Sequence, residues 1–148
     1  MYWKAEDLNI EQMAEDGDKY AQECLGWILY NRGKFVKDNF SKAKEWYRRA
    51  AEQGHVCAQS WFGYRYLTGS GVDKNYSIAK EWYHKAAEQG YADAQFNIGV
   101  MYEYGDGVDK NYSTAVEWYC KAAEQGDVDA QMSIDYLTKR LQKSNGAV

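Results

Sequence analysis

Apolar residues recur at intervals of three and four along much of the chain, the spacing that places them on one face of an α-helix. Between residues 56 and 67, Ala58, Phe62 and Tyr66 stand four apart. A second run follows a short glycine-containing break, and its apolar positions are Tyr76, Ala79, Tyr83, Ala86 and Ala87. The pattern predicts two helices joined by a tight turn.

Residues suited to helix ends stand at the ends of these runs. Asn75 is the predicted N-cap of the second helix, because its side chain can accept a hydrogen bond from the first turn. Gly69 and Gly71 break the first helix and Gly90 ends the second, since glycine adopts positive φ at little cost. Gly63, inside the first helix, is expected to let a neighbouring helix approach closely.

The predicted helix pair recurs with a period of 36 residues. The string Ala-Ala-Glu-Gln-Gly occurs at 50–54, 86–90 and 122–126. The dipeptide Ala-Gln occurs at 21–22, 58–59, 94–95 and 130–131, with one residue inserted between the first two copies. One helix pair cannot cover its own apolar face, whereas stacked pairs share a continuous core. We therefore expect an all-α fold, a curved solenoid of stacked helix pairs.

The repeat divides the chain into three full units with a partial unit at each end. The expected boundaries are an N-terminal capping helix at 1–16, repeats at 17–53, 54–89 and 90–125, and a C-terminal capping helix with its tail at 126–148. The last helix carries Asp135 where earlier first helices have Gly26, Gly63 and Gly99, so it needs no further neighbour. Residues 144–148 are predicted to fray.

One unit carries the fullest set of repeated residues: Ala92, Ala94, Gln95, Ile98, Gly99, Tyr102, Gly105, Gly107, Val108, Tyr112, Ala115, Trp118, Tyr119, Ala122, Ala123 and Gly126. This pattern resembles the Sel-one-like repeat (SLR) family, a relative of the tetratricopeptide repeat, and the resemblance covers roughly residues 17–137. It implies a right-handed α/α superhelix of antiparallel helix pairs whose concave face is lined by the first helices. It also implies adaptor or scaffold work in bacterial envelopes, signalling, secretion or host contact.

The charge pattern argues against nucleic-acid binding. The net charge is −4, and lysine and glutamate alternate rather than form blocks. A nucleic-acid binder would show a concentrated basic surface, so we expect a protein or peptide partner, with a mildly basic one favoured. No run approaches the roughly 20 apolar residues that a membrane span needs.

The cysteines and the N-terminal sequence suggest a reducing compartment. Cys24, Cys57 and Cys120 are odd in number and share no spacing, so no disulfide framework is expected. The first residues lack the basic start and apolar middle of a signal peptide. We expect a cytoplasmic monomer, although a chain from which an export signal had been removed would look the same.

Two short motifs suggest chemistry but fit structural roles better. Ser41 with Lys44, and Ser77 with Lys80, match the Ser-x-x-Lys of β-lactam-interacting enzymes, yet Val116 replaces the lysine in the next repeat. Three glycosylation sequons begin at Asn39, Asn75 and Asn111, where the repeat predicts helix N-caps. His55 and His84 have no second ligand at metal spacing along the chain. We therefore expect no catalysis, no cofactor and no metal.

Positions that vary between matching repeats are free to serve a partner. The candidate partner-binding residues on the first helices are Tyr20, Glu23, Trp27, Ser60, Trp61, Tyr64, Asp93, Phe96, Asn97, Val100, Met132 and Tyr136. Large aromatic residues among them are suited to anchor a ligand in the concave groove. Glu23, Asp93, Glu103 and Asp129 would favour a basic one.

Alternatives remain open for the aromatic residues and for the function. The aromatic residues could instead pack between neighbouring first helices. An adaptor in bacterial signalling or secretion, or an immunity protein for a toxin, fits the binding role. A β-lactam-interacting hydrolase or a self-assembling structural repeat are the other functions considered.

Overall fold

The computed structural model describes residues 10–32 and 37–146, apart from the side chains of residues 32 and 37–39. Within those residues every regular element is an α-helix and no strand occurs. Helix α1 covers residues 10–15, and the others are α2 (Lys19–Arg32), α3 (Lys37–Glu52), α4 (Val56–Thr68), α5 (Tyr76–Glu88), α6 (Ala92–Tyr104), α7 (Tyr112–Ala123) and α8 (Val128–Gly146). The predicted all-α fold is confirmed. Residues 1–9 of the predicted N-terminal cap and residues 33–36 lie outside the described residues.

The chain forms two compact units, Met1–Phe62 and Gly63–Val148, which meet inside α4. In the first unit α2 packs against α3, and Ala14, Ala21 and Leu25 form a buried cluster. In the second unit α6 packs against both α5 and α7, and α7 packs against α8. Each unit thus buries the apolar stripe of one helix against the next, as the periodicity predicts.

The repeated asparagines cap two helices as predicted. The Asn75 side chain accepts from Ile78 N at 3.1 Å, and the Asn111 side chain accepts from Thr114 N at 2.9 Å. The prediction is wrong for Asn39, because α3 begins two residues earlier, at Lys37. Before the other two asparagines a pair of glycines breaks the chain, whereas the corresponding stretch before Asn39 has a single glycine, so the helix can start sooner.

In α2, α4 and α6 a glycine lies against a tyrosine ring of the following helix. A Cβ added to Gly63 would lie 2.6 Å from Cδ1 of Tyr83, and one added to Gly99 would lie 2.6 Å from Cε1 of Tyr119. Both tyrosines are fully buried. The predicted close approach at Gly63 is confirmed, and its cause is a stacked aromatic ring that leaves no room for a methyl group.

The glutamines of the first three Ala-Gln dipeptides each link a first helix to the helix before it, whereas Gln131 in α8 donates to Asp135 within its own helix. Gln22 Nε2 donates to the Ala14 carbonyl at 2.9 Å, and Gln95 Nε2 donates to the Ala87 carbonyl at 3.2 Å. Gln59 makes the same bond one helix pair earlier than Gln95. These acceptors lie at helix ends, where backbone oxygens lack partners within their own helix. A buried amide is therefore part of the repeating core.

The C-terminal helix is longer than predicted. We expected residues 144–148 to fray, but α8 continues to Gly146, and only residues 147–148 lie outside the described part. The segment from Lys139 to Lys143 contains strong helix formers and no proline or glycine, so nothing in it ends the helix.

Replacing the packed glycines by alanine tests the helix contact. We expect Gly63→Ala and Gly99→Ala each to lower the free energy of unfolding by about 1–3 kcal/mol, because the new methyl group collides with a buried ring. Gly146→Ala, in α8 with open space around it, is the control and should change stability little. Denaturant titration measures all three; equal stability of Gly99→Ala and the parent chain would contradict the packing.

Candidate functional site

A cleft of about 450 Å³ lies in the second unit. Its walls come from the first helices α6 and α8, with further residues from α7 and the loop before it. The lining residues are Phe96, Val100, Glu103, Tyr104, Lys110, Tyr112, Tyr119, Met132, Ser133, Tyr136, Leu137 and Arg140. We call this the α6–α8 cleft.

Buried and half-buried apolar side chains form the floor of the α6–α8 cleft. Tyr119 and Leu137 are fully buried, and Phe96 and Val100 pack on the same core cluster while remaining partly accessible. The Phe96 and Tyr119 rings have centroids 5.3 Å apart. Because core packing holds these side chains, the floor keeps one shape without a ligand.

The rim of the cleft carries large apolar side chains in contact with solvent. Tyr104 is 67% exposed, Met132 65% and Tyr136 55%. Arg140 Nη1 donates to Tyr136 Oη at 3.0 Å, which orients that ring. Tyrosine and methionine are residue types that binding surfaces favour, because they offer large contact areas.

A hydrogen bond between Tyr119 and Glu103 is the principal polar feature of the floor. Tyr119 Oη donates to Glu103 Oε2 at 2.5 Å. Burial, and then Glu103, raise the pKa of Tyr119 far above its usual value, so the hydroxyl remains a donor. One repeat earlier Leu67 stands in place of Glu103, and the buried Tyr83 hydroxyl has no hydrogen-bond partner among the described residues. Glu103 therefore adds polarity to this cleft that the repeat does not require.

Four of the predicted partner-binding residues come together in the α6–α8 cleft: Phe96, Val100, Met132 and Tyr136. Two other candidates on α6 do not line it. The Asp93 side chain is exposed, and the Asn97 amide donates to the Asp93 carbonyl at 2.7 Å. Comparison between repeats therefore selected some residues of one cleft together with neighbouring positions that do not line it.

The candidate residues on α4 differ in how far they are exposed and in what they pack against. Trp61 is half-buried and stacks on Tyr47, with ring centroids 4.4 Å apart and planes inclined by 14°. Tyr30 and Phe62 also contact its ring, so Trp61 is placed as the packing alternative predicts. Tyr64 is 52% exposed, and Ser60 is half-buried.

In the first unit, the candidate Trp27 stands on an exposed surface. Its side chain is 61% exposed, and with Ile10, Glu23, Cys24 and Ile28 it lines a hollow of about 340 Å³. Burial, followed by Glu23 and Asp18, raises the pKa of the Cys24 thiol, which makes it a poor nucleophile. This hollow offers apolar contact and no chemistry.

Glu23 and Tyr20 also contact a residue that sequence spacing did not connect with them. Glu23 Oε2 lies 3.1 Å from His55 Nε2, and the Tyr20 ring meets the His55 ring edge-on with centroids 5.0 Å apart. Cys57 brings its sulfur to the same place, so that ligand atoms of the three residues lie within 4.8 Å of one another. The search for metal spacing missed this cluster because its members come from two helices 32 residues apart along the chain.

The Ser-x-x-Lys motifs show no catalytic arrangement. Ser41 and Ser77 are exposed, and each stands near the start of a second helix. Ser77 and Lys80 share a shallow hollow with His84, whose pKa is lowered by burial and then by Lys80. No hydrogen bond joins Ser77 to a base among the described residues.

None of the described helices is both long enough and apolar enough to cross a membrane.

Comparison with known proteins identifies the repeat. A family profile described as Sel1 repeat matches residues 20–55, 58–91 and 92–127. A Sel1 repeat protein from Oxalobacter formigenes is 38% identical with a TM-score of 0.78, and the match covers 86% of this chain and 96% of that one. Comparison with curated protein sequences gave no match.

Two further solved structures are similar. The c5321 protein, described as a protective antigen of uropathogenic Escherichia coli displaying an SLR fold, is 41% identical with a TM-score of 0.79. The match covers 86% of this chain but 27% of c5321, so this chain spans about a quarter of that protein. Cysteine-rich protein B of Helicobacter pylori is 23% identical with a TM-score of 0.61, covering 84% of this chain and 93% of that one, which shows a shared fold.

The two buried tyrosines should respond in opposite ways to loss of the hydroxyl group. Tyr83→Phe should raise the free energy of unfolding by about 1 kcal/mol, because it removes a buried polar atom without a partner. Tyr119→Phe should lower it by about 1–2 kcal/mol, because Glu103 loses its donor. Denaturant titration of the two variants provides the comparison, and a loss of stability in Tyr83→Phe would show that its hydroxyl has a partner.

Proposed function

Because the chain belongs to the Sel1 repeat family, whose members are generally non-enzymatic scaffolds that bind proteins, we propose that it is an adaptor that holds a peptide segment of a partner protein in the α6–α8 cleft. The observation that carries this proposal is the exposed apolar rim over a preformed aromatic floor. The repeat does not need Tyr104, Met132 or Tyr136 for its core, since each is more than half exposed.

The size and lining of the cleft suit one or two apolar side chains of a partner. A volume of about 450 Å³ falls within the range of small-ligand pockets, and its opening allows a chain to continue along α6 and α8. An aromatic or long aliphatic side chain would contact Phe96 and Val100 on the floor, with Met132 and Tyr136 of α8 beside it. Such central, desolvated anchors supply most of the affinity at protein interfaces.

The charges around the cleft refine the choice of partner. Lys110 and Arg140 are at the rim with one carboxylate, Glu103, which is already paired with Tyr119. These charges do not support the preference for a basic partner drawn from the net charge of −4. We propose a ligand with an apolar anchor flanked by an acidic or neutral segment, since Arg140 can donate to a carboxylate.

The biological setting of this binding is proposed from the relatives. The similar proteins from Oxalobacter formigenes and uropathogenic Escherichia coli are bacterial, and the second is described as a protective antigen. We propose a monomeric adaptor in bacterial signalling, secretion or host contact, and an immunity protein for a toxin is a variant of the same binding role.

Selection of peptides from a random phage-displayed library tests the cleft. Peptides selected on the parent chain should bind the double variant Met132→Ala/Tyr136→Ala at least about tenfold more weakly, because truncated hot spots cost roughly 2 kcal/mol or more. Fluorescence anisotropy with synthetic copies of the peptides measures this loss. Circular dichroism should show unchanged helix content, since both side chains are exposed.

A second double variant provides the matched control. Tyr64→Ala/Val128→Ala also removes one tyrosine and one aliphatic side chain, both exposed on first helices and neither lining the cleft. It should bind the selected peptides as the parent does. Peptides that bind both double variants as well as the parent would place the binding surface elsewhere.

A further inference from the structure

The cluster of Glu23, His55 and Cys57 joins three different kinds of metal-binding atom in the first unit. A carboxylate oxygen, an imidazole nitrogen and a thiol sulfur all lie within 4.8 Å of one another. Glu23 is on α2, Cys57 is in the first turn of α4, and His55 immediately precedes α4. Cys57 is a free thiol, so its sulfur is available.

His55 is the most unusual member, because it is buried with unused hydrogen-bonding capacity. Its side chain is 8% exposed, and Nδ1 has no hydrogen-bond partner among the described residues. Nε2 lies 3.1 Å from Oε2 of the Glu23 carboxylate. A buried polar atom without a partner is costly, so a residue of this kind in a native fold indicates a role beyond packing.

The repeat itself does not explain these residues. Asp18 and Asp127 stand at the position of His55 in the first and last copies of the repeat. Their side chains cap the next helix by accepting from Ala21 N and Ala130 N, respectively. The His55 side chain makes no such bond. Ser60 and Phe96 stand at the position of Glu23, and Asp93 and Asp129 stand at the position of Cys57. The three ligand types coincide at this one junction and nowhere else in the repeat.

The chemistry of the three donors selects among metals. A thiolate with an imidazole suits zinc, whereas magnesium and calcium prefer oxygen ligands alone. In a tetrahedral zinc site, neighbouring ligand atoms are about 3.3–3.8 Å apart for bond lengths near 2.0–2.3 Å. Closing the present separations to that range needs side-chain movements of roughly an ångström. The Glu23 and Cys57 side chains, which would make this movement, are both partly exposed.

We propose that Glu23, His55 and Cys57 form a zinc-binding site that joins α2 to the start of α4, with water as the fourth ligand. Binding releases the proton of the Cys57 thiol, while His55 coordinates as the neutral imidazole. Because the ion bridges two consecutive first helices, it stabilises the folded first unit. The site is separate from the α6–α8 cleft and does not depend on the proposed peptide binding.

Cobalt titration of the tag-free, reduced, metal-free chain tests the site. Tetrahedral Co²⁺ bound by a thiolate gives an intense charge-transfer absorption, and we expect it to saturate at one equivalent and to disappear when Zn²⁺ is added. Cys57→Ser should abolish the absorption. His55→Gln and Glu23→Gln should each weaken cobalt binding at least about tenfold, given that even groups that only support a metal ligand matter by that much.

The chain offers matched controls in its other histidine and in a cysteine of the second unit. His84→Gln and Cys120→Ser should keep the full absorption, and circular dichroism should show that Glu23→Gln and Cys57→Ser remain folded. Zn²⁺ should also raise the Tm of the parent chain and not that of Cys57→Ser. Absence of the absorption in the parent chain, or its persistence in Cys57→Ser, would overturn the proposal.

Discussion

The contact between a glycine and a tyrosine ring is the constraint on which the rest of the structure depends. In the second unit the Tyr83 and Tyr119 rings lie so close to Gly63 and Gly99 that no side chain larger than hydrogen fits. Gly26 and Tyr47 repeat the contact in the first unit with slightly more space, at 3.0 Å from an added Cβ. Each ring fills the space between two helices, so one residue pair sets how closely the helices of a pair approach.

Because these rings and the neighbouring alanines complete the core, other positions on the first helices are released from packing. The α6–α8 cleft and the proposed zinc site both include such positions. In the α6–α8 cleft, Met132 and Tyr136 are directed to solvent over a floor that the core already holds rigid. Where α2 meets the start of α4, Glu23, His55 and Cys57 bring their ligand atoms together. Both proposed functions therefore rest on residues that differ between repeats.

The sequence predicted the helices well because their signals are local. The caps at Asn75 and Asn111 act through residues a few positions away along the chain. The contact of the glycine at position 63 lies within one repeat, and the repeat period can be read directly from the sequence. The failures have physical causes as well. Trp61 varies between repeats like a binding residue, yet it stacks on Tyr47, and no local pattern tells a packing indole from an exposed one. The cluster around His55 depends on side chains brought together by tertiary contact, which spacing along the chain does not encode.

The most direct test of this packing is a nuclear Overhauser measurement on the isotope-labelled chain. The α-protons of Gly63 and Gly99 should show strong transfer to the ring protons of Tyr83 and Tyr119 respectively, because a hydrogen of each glycine occupies the direction in which an added Cβ would meet the ring. Gly146, with nothing near it, should show no transfer to any aromatic ring. A folded, helical chain in which Gly63 and Gly99 lack these cross-peaks would contradict the glycine–tyrosine contact as the basis of the fold.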